Sequence, residues 1–112
     1  MEEHRVIIAS SAKQDIRGIY RYISTELGAP ATAMNMVDDI EKAIDGLSFM
    51  PKSHPRVHDD FYASMGYRML SVKKYIVFYS IDENEKIVNV ERILHARRDW
   101  EQILKGDQWT TT

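Results

Sequence analysis

The feature that most constrains the fold is a change of hydrophobic period near residue 67. Before it, Ile16, Ile19, Tyr20, Ile23 and Leu27, and then Ala33, Val37, Ile40, Ile44 and Leu47, recur at helical spacing. After it, apolar residues fall into three short runs, YRMLSV, YIVFYSI and KIVNVERILH, rich in β-branched and aromatic side chains. One further β-branched run, RVIIA (Arg5–Ala9), precedes the helices. The order is β-α-α-β-β-β, with Asp99–Leu104 as a possible short final helix. Two helices joined tightly must bury their apolar stripe, and the surface on offer is one face of the sheet. The expectation is a two-layer α+β domain: an N-terminal strand and a helical hairpin packed on one face of an antiparallel four-stranded sheet. The other sheet face is expected to stay open.

Local signals agree with these boundaries. Ser11 stands three residues before Gln14, the spacing of a capping box. Gly28 ends the first helix, and Pro30 suits the first turn of the second. Met34, Met36 and Met50 are read as fillers of irregular core space. Lys52–Ser64 mixes Pro, His and charge without a period and is read as a loop. Asp82–Glu85 is a polar hairpin turn. A single domain spanning 1–112 is expected, with its core over about 5–104 and a loose tail at 105–112.

Composition excludes several classes. The chain has no Cys, so disulfides and thiolate chemistry are absent. No apolar run approaches the ~20 residues of a membrane helix, and MEEHR is unlike a basic leader. A cytoplasmic location without membrane contact is expected. Net charge is −2, unlike a dedicated nucleic-acid binder. A basic excess sits only in residues 51–75, with five Lys/Arg against two Asp/Glu. No phosphate-cradling Gly loop occurs, and no cofactor or metal is expected. His54, His58, Asp59 and Asp60 are ligand types at a spacing that fits no familiar closed site.

The stretch VERILHARRDW concentrates Arg92, His95, Arg97 and Arg98 at the end of an apolar strand. Strand alternation assigns Val88, Val90, Arg92 and Leu94 to the core face, with Arg92 as an intruder at the sheet margin. Asn89, Glu91 and His95 then point to the open face, followed by Arg97 and Arg98. Lys73-Lys74 reads chiefly as a plain solvated turn. Trp100 is expected to pack over the strand end, and Trp109, in the polar tail, is harder to place in a core and is a candidate contact residue.

Residues 68–99, RMLSVKKYIVFYSIDENEKIVNVERILHARRD, resemble the C-terminal half of the RelE/ParE superfamily of bacterial type II toxins. The preceding strand and helical hairpin match the same fold, so the resemblance covers about residues 5–104. It implies a toxin of a plasmid-stabilisation type module, neutralised by a cognate antitoxin and reaching operator DNA only through it. Two activities occur in the superfamily: ParE-like members poison DNA gyrase, and RelE-like members cleave mRNA on the ribosome. The RILHARRD ending, Ile76 where RelE-like toxins carry an Arg, and the acidic net charge favour the ParE branch. Lys73 and Lys74 lie just before Ile76, and substitution for that Arg is the alternative reading of the pair. Arg97, with Arg68, Arg92, His95 and Arg98, is then the expected partner-binding patch. If the chain is a ribonuclease, Arg68, Tyr79, His95 and Arg97 are the catalytic candidates. A third possibility is a non-catalytic member that only binds its partner and regulates transcription with it.

Overall fold

A computed structural model describes residues 3–54, 66–98 and 103. The chain runs through β1 (Arg5–Ile8), α1 (Ser10–Arg21), a π-turn at Tyr22–Glu26, α2 (Pro30–Asp45), short 3-10 turns at Gly46–Ser48 and Pro51–Ser53, β2 (Arg68–Val72), β3 (Tyr75–Asp82) and β4 (Ile87–His95). The strands form one sheet in the order β1-β4-β3-β2. The expected antiparallel pairing holds for β2, β3 and β4, and β1 joins β4 in parallel, so the sheet is mixed. The α+β expectation therefore holds. The helices carry the chain back to its start, where the His4 N–H donates to the Ser48 carbonyl at 2.7 Å.

The helical stripe is buried as its spacing requires. Ala33, Ile40, Ile44 and Leu47 are at most 1% exposed, packed against Val77, Tyr79, Val88, Val90 and Ile93 of the sheet. Gly28 adopts φ +62, the left-handed conformation that ends a helix without a Cβ penalty. Tyr20 and Leu27 lie at the margin of the stripe and stay exposed. Of the methionines read as core fillers, Met36 is buried, and Met34 and Met50 are exposed. The capping box does not form. Helix α1 begins at Ser10, one residue before its supposed cap, and the Ser11 hydroxyl instead donates to the Glu91 carbonyl at 3.0 Å.

Two corrections concern the sheet faces. Phe78 pairs with Arg92 and Tyr79 with Val90, leaving Glu91 as an extra residue in a β-bulge. A bulge shifts the alternation by one residue. Val88 and Val90 therefore face the helices as expected, but beyond the bulge Ile93 does so and Leu94 does not. His95 follows the shift and lies beside Tyr75 on the helix side, not on the open face. Nor is that second face bare. Tyr67, Ile76, Phe78 and Leu94 form a second buried cluster there, with Met69 and Ile103 packed against it. The possible terminal helix and both Trp positions lie outside the described residues, as does His58, apart from Ile103 in helical conformation. Among the described residues no helix is long and apolar enough to cross a membrane.

Candidate functional site

Beyond Val90, β4 has lost its neighbour β1, and its open edge needs other partners. Helix α1 supplies them with side chains. Asp15 accepts the Ile93 N–H at 2.9 Å and the Arg92 guanidinium at 2.7 Å (Nε) and 3.0 Å (Nη2). The pair is mostly shielded, with side chains 15% and 13% exposed. Arg92 is thus an arginine at the sheet margin paired to a carboxylate, but the bulge sets it opposite Phe78 and out of the Val88–Val90 face on which strand alternation placed it. Its two-pronged contact is one a Lys could not reproduce.

The strand end itself turns sharply. The Ala96 N–H donates to the Lys74 carbonyl at 2.8 Å, the Arg97 N–H to His95 Nδ1 at 3.1 Å, and the Arg98 N–H to the His95 carbonyl at 3.0 Å. The β2–β3 turn thereby comes beside the end of β4. Lys73 sits in that turn at φ 55, its ammonium 2.6 Å from Asp39 of α2, a hydrogen bond that holds the Asp39 carboxyl below its ordinary range. Lys74, Arg97 and Arg98 are exposed and make no ion pair among the described residues. Lys74 and Arg98 line a cleft of about 890 Å³ between the helical hairpin and the sheet, together with Ile19, Ile23, Met36 and Ile93, and Arg97 precedes Arg98 in the turn. Tyr75 lines the cleft too, and burial, with Tyr22 nearby, raises that phenol above its usual range.

Arg68 and Tyr79 belong to a different place. They are paired across β2 and β3, and Arg68 Nη1 donates to the carbonyls of His54 at 2.8 Å and Lys52 at 3.3 Å. The Tyr79 hydroxyl donates to the Pro51 carbonyl. That phenol is buried and pushed up to about 12, a rise that the Arg68 charge only partly offsets. Tyr79 lies four residues along β3 from Tyr75, the partner of His95, a span of about 13 Å at ~3.3 Å per residue.

The structure therefore brings His95, Arg97 and Arg98 together and leaves Arg68, Tyr79 and Arg92 elsewhere. It adds Lys74, whose Lys-Lys turn reads in sequence chiefly as solvated charge, with a functional role next to Ile76 as the lesser alternative. Its signal was the hairpin: regular pairing of YIVFYSI with KIVNVERILH would bring the β2–β3 turn to the end of β4, and the bulge at Glu91 then sets Tyr75 opposite His95 and not Leu94. Asp15 carried no such signal, because its partners lie 77 and 78 residues away.

The arrangement defines a small α+β protein whose sheet ends in a cationic turn over a partly apolar cleft. The family model for the ParE toxin of the type II toxin–antitoxin system parDE matches residues 6–100, and the chain belongs to that family. The fold is similar to a chain in the chromosomal ParDE system of P. aeruginosa (TM-score 0.70, 18% identity, covering 85% of this chain and 98% of that one). It is also similar to chains in the RelBE2 toxin–antitoxin complex of Mycobacterium tuberculosis (0.57, 18%, 83% and 98%) and the archaeal RelE–RelB complex of Pyrococcus horikoshii (0.58, 12%, 86% and 98%). No curated protein matches the sequence significantly.

Proposed function

We propose that this toxin arrests growth by binding and poisoning DNA gyrase, and that a cognate antitoxin neutralises it by laying an acidic segment over the cationic end of the sheet. The observation that carries the reading is the cluster of Lys74, Arg97 and Arg98, exposed and without carboxylate partners among the described residues, beside a cleft partly lined by apolar side chains. Such a surface suits a segment carrying both carboxylates and apolar side chains. The similar folds come from toxin–antitoxin systems, which supports an antitoxin partner here. Toxicity and neutralisation then compete for one surface.

The alternative, a ribosome-dependent mRNA endonuclease, asks Arg68, Tyr79, His95 and Arg97 to act on one phosphate. Arg68 and Tyr79 are tied to backbone carbonyls about 13 Å along the sheet from His95, which counts against that set. A phenol pushed up to about 12 is also a poor base near neutral pH.

Induced expression with plasmid supercoiling and transcript integrity read in parallel separates the readings. Altered supercoiling with intact transcripts is the expected result. Cut transcripts with normal supercoiling would reverse the order, and a chain that changes neither would be a partner-binding member only.

A further inference from the structure

One side chain joins the backbone bonds of the turn that presents Arg97 and Arg98. His95 closes β4 opposite Tyr75, the two rings edge to face at 5.3 Å. Its Nδ1 accepts the Arg97 N–H at 3.1 Å. The nitrogen that accepts this bond has its lone pair, and not a proton, toward the Arg97 N–H. The bond reaches a backbone N–H two residues on, as Asn and Asp side chains do when they fix a turn.

We propose that His95 is a positioning residue: its Nδ1, as acceptor of the Arg97 N–H, locks the 95–98 turn and so determines where Arg97 and Arg98 stand, while His95 itself need not touch the partner. The consequence for function rests on the reading of this end as the binding surface. The consequence for the turn does not.

Two properties follow from the atom involved. A proton on Nδ1 would turn the acceptor into a donor facing another donor, so acid should unlock the turn. Tyr75 meets the ring edge to face, and the other titratable and charged groups that line the same cleft are, among the described residues, Asp15 and Tyr22 from α1 and its π-turn, Lys73 and Lys74 from the β2–β3 hairpin, and Arg98 from the turn itself. The one carboxylate among them, Asp15, is already engaged by Arg92 and the Ile93 N–H. The second property is chemical mimicry. Asn places its Oδ1 near the position of Nδ1, whereas Gln reaches toward that of Nε2. A role through Nδ1 is therefore rescued by Asn, and a contact through Nε2 by Gln.

The test joins an NMR titration of the isotope-labelled chain to growth assays of His95→Ala, His95→Gln and His95→Asn. The Arg97 amide should shift in step with the His95 ring as pH is lowered, whatever the cellular target. Ala and Gln variants should need up to about tenfold more inducer to arrest growth, the factor that one ordinary hydrogen bond represents. The Asn variant should recover most of that loss. An Arg97 amide blind to the His95 titration, or a Gln variant more toxic than the Asn variant, would overturn the proposal. Thermal melts identify a variant that fails to fold, in which case the titration of the parent chain decides. Titration as expected in a chain that never arrests growth would leave the positioning role standing and count against the toxin reading.

Discussion

At the scale of single residues, similar side chains have opposite employments. Arg92 is spent on Asp15 and Arg68 on the carbonyls of Lys52 and His54, whereas Arg97 stands exposed at a strand end. Arg97→Ala should therefore lower toxicity and leave the thermal midpoint nearly unchanged, since exposed charges contribute little to folding. Arg97→Lys should restore little if the guanidinium fork is read, and a fully toxic Ala variant at equal expression would return this arginine to ordinary solvated charge. Tyr79 makes the contrary prediction. Tyr79→Phe leaves the Pro51 carbonyl without its donor and should cost about 1–3 kcal/mol. Burial raises the folded phenol to about 12 from 10.0, so its contribution is complete below the unfolded value and lost as pH rises through the folded one. Stability of the parent should thus fall between about pH 10 and 12, more steeply than that of the Phe variant, as denaturant titrations would show.

At the scale of elements, α1 does two jobs. Its apolar side joins the core, and its Ser11 and Asp15 serve the β4 edge that β1 is too short to cover. Asp15→Ala should cost about 3–5 kcal/mol in chemical denaturation, because it leaves the shielded Arg92 without this carboxylate and the Ile93 N–H without its acceptor. A loss below 1 kcal/mol would mean that water replaces Asp15 freely along that edge. In α2, Ile40→Ala or Ile44→Ala should cost about 2–5 kcal/mol, the range for truncating a buried aliphatic side chain. Toxicity would then fall with the fold, the opposite pattern to Arg97→Ala, so melting curves distinguish the two causes.

At the scale of the whole molecule, the helices cover one face of the sheet and a second buried cluster covers part of the other, while Ile7 of β1 stays exposed. Phe78 and Leu94 are 0% and 2% exposed on the side away from the helices, where Met69 and Ile103 pack. Leu94→Ala should accordingly destabilise by about 2–5 kcal/mol, as much as a change on the helix side. A Leu94→Ala protein that melts like the parent would show that this face is solvent-exposed after all. The buried cluster on the second face is consistent with the proposed antitoxin contact lying at the cleft beside Lys74, Arg97 and Arg98 and not on the flat of the sheet. Hydrogen exchange with the antitoxin bound should then gain protection around residues 73–75 and 95–98.

What the sequence determined alone was whatever depends on neighbours in the chain. Period sets helix or strand, so both helices, the three C-terminal strands and the buried stripe Ala33–Leu47 were legible, as was the clustering of cations after Leu94. The unbroken apolar run Tyr75–Tyr79 also carried a message, since a strand apolar on both sides is covered on both sides. Tertiary structure alone decided the rest. A bulge at Glu91 arises from the registration of β4 against β3, and one extra residue sends Ile93 and His95 to the helix side and Leu94 to the other. The partners of Arg92, Tyr79 and Arg68 lie 77, 28 and 14 residues away, beyond any local pattern. Which cations are consumed inside the molecule and which remain for a partner depends on such distant pairings, because a guanidinium binds whichever carboxylate or carbonyl the packed fold brings within about 3 Å.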